Sequence, residues 1–265
     1  MFNLINLDLL FYFFIFVGGL CFGSFLNVLI DRLPQERALT GRSRSDCCQK
    51  TLGVLDLIPV LSFILSRGRC RHCGAEISFY YPTVELMTGL VTLIVFWSLP
   101  PWFQAMYHLL FFYSLIVFFF IDLKYGLVPV SIFLFDLILI ILYLTLSYFG
   151  KDLTSYSLIL NSLSAMAGSL FILFLIALTR GRGMGFGDVL LVFVFSLFLG
   201  FPKSLVMIFL SFIIGGLFSI FLLIFGLKKV GQAIPFGPFL VLANWLSFYY
   251  GNYLLDFYLR AVLKS

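Results

Sequence analysis

Leu9-Leu-Phe-Tyr-Phe-Phe-Ile-Phe-Val-Gly-Gly-Leu-Cys-Phe-Gly-Ser-Phe-Leu-Asn-Val-Leu-Ile30 is a run of twenty-two residues without a charge. Coiled as an α-helix it is roughly 33 Å long, enough to cross a hydrocarbon core of about 30 Å. A signal-peptide core is shorter, roughly 7–15 residues, and follows basic residues. No Lys or Arg precedes this run, which therefore reads as a retained membrane span. Similar segments follow at Phe79–Trp97, Phe103–Ile121, Leu127–Phe149, Tyr156–Thr179, Val189–Phe201, Leu205–Leu227 and Phe236–Leu259. They are apolar on all sides, whereas barrel strands would alternate apolar and polar residues. The composition agrees: 62% hydrophobic, 19% aromatic and only 11% charged in 265 residues. The expected fold is all-α, a polytopic membrane protein of about eight transmembrane helices with one cytoplasmic loop domain. The run at Val189–Phe201 is short and spans only if the residues just before it are partly embedded.

The loops between eight spans fall into two sets. One holds thirteen Lys and Arg: Arg32, Arg37, Arg42, Arg44, Lys50, Arg67, Arg69, Arg71, Lys124, Arg180, Arg182, Lys228 and Lys229. The other holds four: Lys151, Lys203, Arg260 and Lys264. This bias places the first set in the cytoplasm and both termini outside. It also explains the net charge of +5 without a nucleic-acid partner, so none is expected. Trp97–Trp102, with Pro100 and Pro101, reads as an interfacial turn with aromatic anchors.

The loop between Asp31 and Ser78 is the one sizeable polar segment. It is too short for a core of its own and needs a staple or support from the spans. Its middle, Leu57–Leu65, is apolar enough for a short helix lying against the bilayer or the bundle. Cys47, Cys48, Cys70 and Cys73 all lie in this loop. In the first span, Gly19 and Gly23 are spaced to let another helix approach closely, and Asn27 needs buried partners.

Two carboxylates sit at the cytoplasmic edges of apolar runs. Asp122 ends one run in Phe120-Ile-Asp-Leu-Lys-Tyr-Gly-Leu-Val-Pro129, and Asp188 begins another after Gly181-Arg-Gly-Met-Gly-Phe-Gly187. A carboxylate beside hydrocarbon is expensive, and its presence hints at function. Two aspartates sharing one proton can hydrolyse a peptide bond with no metal: one deprotonates water while the other polarises the carbonyl. Such a pair titrates as a unit, so neither role is assigned to either residue. The plainer reading is a cap, with Asp188 at the N-terminus of its helix. Gly183, Gly185 and Gly187 favour a peptide site, because they leave the backbone bare before Asp188.

Gly185-Phe-Gly-Asp188 resembles the GxGD pattern of intramembrane aspartyl proteases, and its wider context is similar to the type IV prepilin peptidases. Gly23-Ser-Phe-Leu-Asn-Val28, Asp56-Leu-Ile-Pro59, Arg67-Gly-Arg-Cys-Arg-His-Cys73, Tyr81-Pro-Thr-Val-Glu85, Asp122 with Pro129, and Pro235-Phe-Gly-Pro-Phe239 stand in that family's order. The resemblance implies a bacterial inner-membrane enzyme that removes the basic leader of prepilins or pseudopilins after a glycine, on the cytoplasmic side. Many members then methylate the new N-terminal residue with S-adenosylmethionine. It implies Asp122 and Asp188 as the catalytic pair, supported by Gly185 and Gly187. The expected division is residues 1–100, carrying the methyltransferase part, and 101–265, carrying the peptidase. Pro235–Pro238 reads either as a helix start or as a substrate-side element beside the aspartates.

The resemblance also implies a zinc loop with two Cys pairs. Here Ser45 replaces the first cysteine of the first pair, leaving Cys48, Cys70 and Cys73 for a structural Zn²⁺. Cys47 is a candidate for the fourth ligand, although adjacent residues chelate one ion awkwardly, and Asp46 and His72 are others. Leu190 stands where many members carry a lysine. Glu85, in the second span, is a candidate for the methyl-transfer site together with the first loop, since no glycine-rich nucleotide fingerprint is present; the plainer reading is a buried carboxylate satisfied by Arg, Tyr or amide partners within the bundle. A second function class is a transporter or channel whose membrane-edge carboxylates bind a cation.

Overall fold

The computed structural model describes every residue except Met1, Asp46, Pro100, Pro101, Asp152, Arg182, Val230, Gly231, Ala233, Lys264 and Ser265, and the side chains at 2–8, 102–103 and 262–263. Asp46 as a ligand, Arg182 and Lys264 of the charge count, and the two prolines of the interfacial turn thus lie outside the described residues. The chain forms two compact units, Met1–Val117 and Phe118–Ser265.

The first unit is built on α1 (Phe2–Arg32) and α3 (Tyr80–Ser98), which pack against each other. Glycine makes their approach possible. A Cβ on Gly19 would sit 2.8 Å from the Gly89 Cα, and one on Gly23 would sit 2.6 Å from the Glu85 Cα. One turn further along, the Asn27 amide donates to the Tyr81 carbonyl at 3.1 Å, so the helices run antiparallel. Thr88 and Thr92 return their hydroxyls to the carbonyls of Val84 and Thr88, at 2.7 and 2.6 Å. Water is scarce at this depth, and this is how a helix hides hydroxyls.

Between these helices the loop forms two tight turns, closed by single antiparallel bridges at Arg44 with Thr51 and Arg69 with Glu76. A 3₁₀ turn at Val54–Asp56 and the short helix α2 (Leu61–Leu65) fill the middle, where a short helix was expected. Arg71 pairs with Asp56 at 3.4 Å, tying the second turn to the middle. Phe63 packs edge-on against Phe79 with ring centres 5.0 Å apart. The unit boundary falls inside α4 (Trp102–Tyr125).

The second unit holds the end of α4 and α5 (Val130–Phe149), α6 (Ser155–Thr179), α7 (Phe186–Leu199), α8 (Lys203–Ile224) and α9 (Gly237–Leu263). α7 touches α5, α6, α8 and α9, and buries Val189, Leu191, Val192, Val194, Phe195 and Leu197. A helix that is apolar all round is one enclosed on all sides. In contrast, α5, α6 and α8 present Ile138, Leu142, Leu163, Phe174, Leu217 and Phe221 outward, as lipid-facing helices do.

Six helices are long and apolar enough to cross a membrane among the described residues: α1, α3, α4, α5, α6 and α8. The chain is an all-α polytopic membrane protein. The other two expected spans differ from these six for physical reasons. α7 has 14 residues, only about 21 Å of helix, and its neighbours supply the rest of its surroundings. α9 has 27 residues, but Asn244, Ser247, Tyr249, Tyr250, Asn252 and Tyr253 dilute its apolar character.

Candidate active site

α4 ends one turn past Asp122, where Gly126, at φ 63°, donates its N–H to the Asp122 carbonyl at 2.9 Å. Only glycine adopts that left-handed conformation without penalty, and the chain turns at once into Leu127–Val128–Pro129 and α5. Val128 lies against Gly187, where a Cβ would come within 2.6 Å of its Cγ2. The Asp122 turn and the start of α7 are therefore in contact.

Asp188 occupies the first turn of α7, with Gly185 as the residue that begins the helix. Its carboxylate reaches back to accept the Gly185 N–H at 2.9 Å, while its own N–H donates to the Gly185 carbonyl at 3.1 Å. Capping was the plain reading of Asp188, and the structure moves it from the capping position itself to the third helical residue. The acidic side chain still answers a free N–H at a positive helix end.

Asp122 accepts the Gly237 N–H at 2.9 Å, from the start of α9. A Cβ at Gly237 would meet Asp122 Oδ2 at 2.5 Å. Asp122 is 8% and Asp188 7% exposed, and the charge of Asp188 acts on Asp122. Two buried carboxylates, each accepting one backbone N–H, thus stand in one unit on turns that touch through Val128 and Gly187. Pro235–Pro238 does start a helix, and it also lies beside Asp122. Beside the site, Gly183, Met184, Phe212, Gly215, Phe236 and Phe239 border a mainly apolar groove.

In the first unit, Glu85 is 9% exposed on α3. Arg, Tyr or amide partners were the expected ones. Instead Oε2 accepts the Val60 N–H at 2.7 Å, and Ser24 of α1 also bonds to the carboxylate. Asn27 Oδ1, one turn along α1 from Ser24, is buried without a hydrogen-bond partner.

The sulfurs of Cys47, Cys48, Cys70 and Cys73 all lie within 4.8 Å of one another. A tetrahedral Zn²⁺ with bonds of about 2.3 Å needs sulfur separations of about 3.8 Å, so this donor set fits. Cys47 is the fourth sulfur of the cluster although it adjoins Cys48, and His72 is not part of it. Ser45, in place of a cysteine, stays in contact, its hydroxyl 3.1 Å from Cys47 Sγ and 3.4 Å from Cys70 Sγ. Hydrogen bonds from Ser45 and from the backbone of His72 and Cys73 pull the Cys70 thiol down to about 5. Cys48 is lowered too, chiefly by the Lys50 backbone. Its hydrogen bond with Cys47, 2.6 Å away, pushes Cys73 up to about 12.

Residues 17–99 match the profile of the bacterial peptidase A24 N-terminal domain, and residues 109–220 match that of the type IV leader peptidase family. The chain belongs to the type IV leader peptidase family. It is 33% identical over 287 residues to a prepilin leader peptidase/N-methyltransferase of Aeromonas hydrophila, and 31% identical over 288 residues to one of Aeromonas salmonicida, with 97% of each chain covered in both cases. It is 31% identical over 251 residues to one of Bacillus subtilis, covering 94% of this chain and 98% of the relative. No solved structure matches it. The cation-transport reading finds no support among these family relatives.

Several residues of this site were not singled out from the sequence. Gly237 is 115 positions from the carboxylate it contacts, a pairing that only packing reveals. Val128 is an ordinary apolar residue until Gly187 is placed against it. Elsewhere in the unit, outside this site, Asp136 is fully buried in α5. Its signal was available, as a lone carboxylate in an apolar run.

Proposed function

We propose that this leader peptidase cleaves prepilins or pseudopilins after a glycine at the cytoplasmic face of a bacterial inner membrane, with Asp122 and Asp188 as the catalytic pair. The observation that supports this reading is that the two buried carboxylates, each accepting a backbone N–H, stand on turns in contact through Val128 and Gly187. One aspartate, ionised, takes a proton from water as the oxygen attacks the scissile carbonyl. The other, protonated, hydrogen-bonds the carbonyl oxygen and then protonates the leaving nitrogen. The pair needs no metal. Gly185 and Gly187 keep the edge of α7 low so that a peptide can lie along it. The substrate's apolar segment stays in the bilayer while its leader reaches the aspartates.

Methyl transfer is assigned to residues 1–100 and peptidase chemistry to 101–265. S-adenosylmethionine supplies the methyl group for the newly exposed amine. Within the first part, the buried and unpartnered Asn27 Oδ1 near Glu85 supports a polar ligand where the first loop meets the spans. Cys47, Cys48, Cys70 and Cys73 would hold a structural Zn²⁺ that cross-links the loop's two turns.

The test is leader removal from a co-expressed prepilin, read as a gel shift. Asp122→Asn and Asp188→Asn should each lower cleavage by about 10²-fold or more, as loss of a proton-transfer group does. Cleavage that survives either change sinks the assignment.

A further inference from the structure

The loop middle contains an unusual backbone. Val60 has φ 61° and ψ −47°, and the Leu61 N–H returns to the Pro59 carbonyl at 2.6 Å. This is a γ-turn of the rare, strained kind. A β-branched residue is among the least suited to it. Strain of this sort persists only where the surroundings impose it. The surroundings here are specific. The Val60 N–H donates to Glu85 Oε2 at 2.7 Å, and Ser24 holds the same carboxylate from α1. Val60 is also the residue from which α2 starts, and α2 carries Phe63 onto Phe79.

We propose that Glu85 is a positioning residue, a latch that holds the Pro59–Val60–Leu61 turn onto α1 and α3 and thereby seats the whole first loop. A buried backbone N–H left without its acceptor is costly, which suits a single contact that must hold a small loop onto two helices. The latch reaches the cysteines through the loop's own ties. Asp56, four residues before Val60, pairs with Arg71 between Cys70 and Cys73. The Gly68 N–H bonds to the Phe63 carbonyl at 2.9 Å, joining α2 to the second turn. Glu85 thus contributes to methyl transfer by seating the loop, with no contact to the methyl donor required. This rests on the assignment of methyl transfer to the first part.

The test uses the full-length protein in nanodiscs and two readouts. Arg67, Arg69 and Arg71 are exposed, so trypsin reports how firmly the loop is seated. Glu85→Ala should speed cleavage there by about ten-fold, the cost of leaving one backbone N–H without its acceptor, and lower methyl transfer relative to leader removal. Glu85→Gln keeps a carbonyl for the Val60 N–H and should restore both to near the parent level. Should Glu85→Ala not accumulate, Glu85→Asp, one methylene short of Val60, is compared with Glu85→Gln in its place. If Glu85→Gln behaves like Glu85→Ala, the charge itself is what matters and the latch is wrong. The same holds if Glu85→Ala resists trypsin as the parent does. If the parent transfers no methyl group from S-adenosylmethionine, the methyl-transfer reading fails, while the trypsin comparison still decides the latch.

Discussion

Three glycines near the aspartates look alike in the sequence and differ in what surrounds them. A Cβ on Gly237 would fall 2.5 Å from Asp122 Oδ2, and one on Gly187 would fall 2.6 Å from Val128 Cγ2. The nearest atom to a Cβ on Gly185 is 3.9 Å away, and its φ is −97°. Gly237→Ala should therefore displace the carboxylate and lower leader removal by about ten-fold or more, as disturbing a group's reactive geometry does. Gly187→Ala should be as harmful, and Val128→Gly in the same chain should recover part of the loss, since the two changes act through one contact. Gly185→Ala should cost under about 1 kcal/mol of stability, as Ala at a helix cap does. If it abolishes cleavage in a folded protein, Gly185 touches substrate. The GxGD pattern made Asp188 legible because its glycines precede it in the chain. Gly237 was legible only as part of the Pro235–Pro238 element, because its reason for being glycine lies across the fold, at Asp122.

At the scale of elements, run length and apolarity located the helices well. They said less about how each is enclosed. α7 is short because other helices surround it, and periodicity cannot register neighbours. The cysteine turns show the same limit. The chain order argued against Cys47, since adjacent residues chelate one ion awkwardly, yet the turn closed by Arg44 and Thr51 brings both sulfurs to one side. The thiols of this cluster are displaced in opposite directions, Cys70 down to about 5 and Cys73 up to about 12. At neutral pH Cys70 is ready to bind a cation, while Cys73 must first release a proton. Zinc affinity should therefore fall as pH falls from 8 toward 6, with proton release on binding measurable by calorimetry in two buffers. In the Co²⁺-substituted protein, Cys47→Ser should weaken the thiolate-to-metal absorption and shift it toward a three-sulfur site. An unchanged spectrum would remove Cys47 from the ligand set.

For the whole molecule, the decisive question is which side of the membrane each loop occupies. Thirteen basic residues against four favour an inside location of the 31–78 loop, Lys124, Arg180 and Lys228, and an outside one of Lys151 and Lys203. The sides of Lys203 and Lys228 follow only if α7, with its 14 residues, crosses. About 21 Å of helix cannot match a core of about 30 Å in lipid, but α7 is not in lipid. Irregular backbone at membrane depth is tolerated where protein buries it or water reaches it, so Gly183–Gly185 and Gly200–Pro202 can complete the crossing. The aspartates would then lie below the surface, in a depression open to the cytoplasm. Single cysteines placed at 124, 180, 203 and 228 in a protein whose exposed native cysteines are serines can be labelled with a membrane-impermeant maleimide. In intact spheroplasts, 203 should label and the other three should not; all four should label after the membrane is opened. Labelling of 180 and 203 from the same side would make α7 re-entrant and reverse the side assigned to everything after it. Cleavage would then have to be explained with α9, and the Gly237 contact to Asp122, approached from the other face.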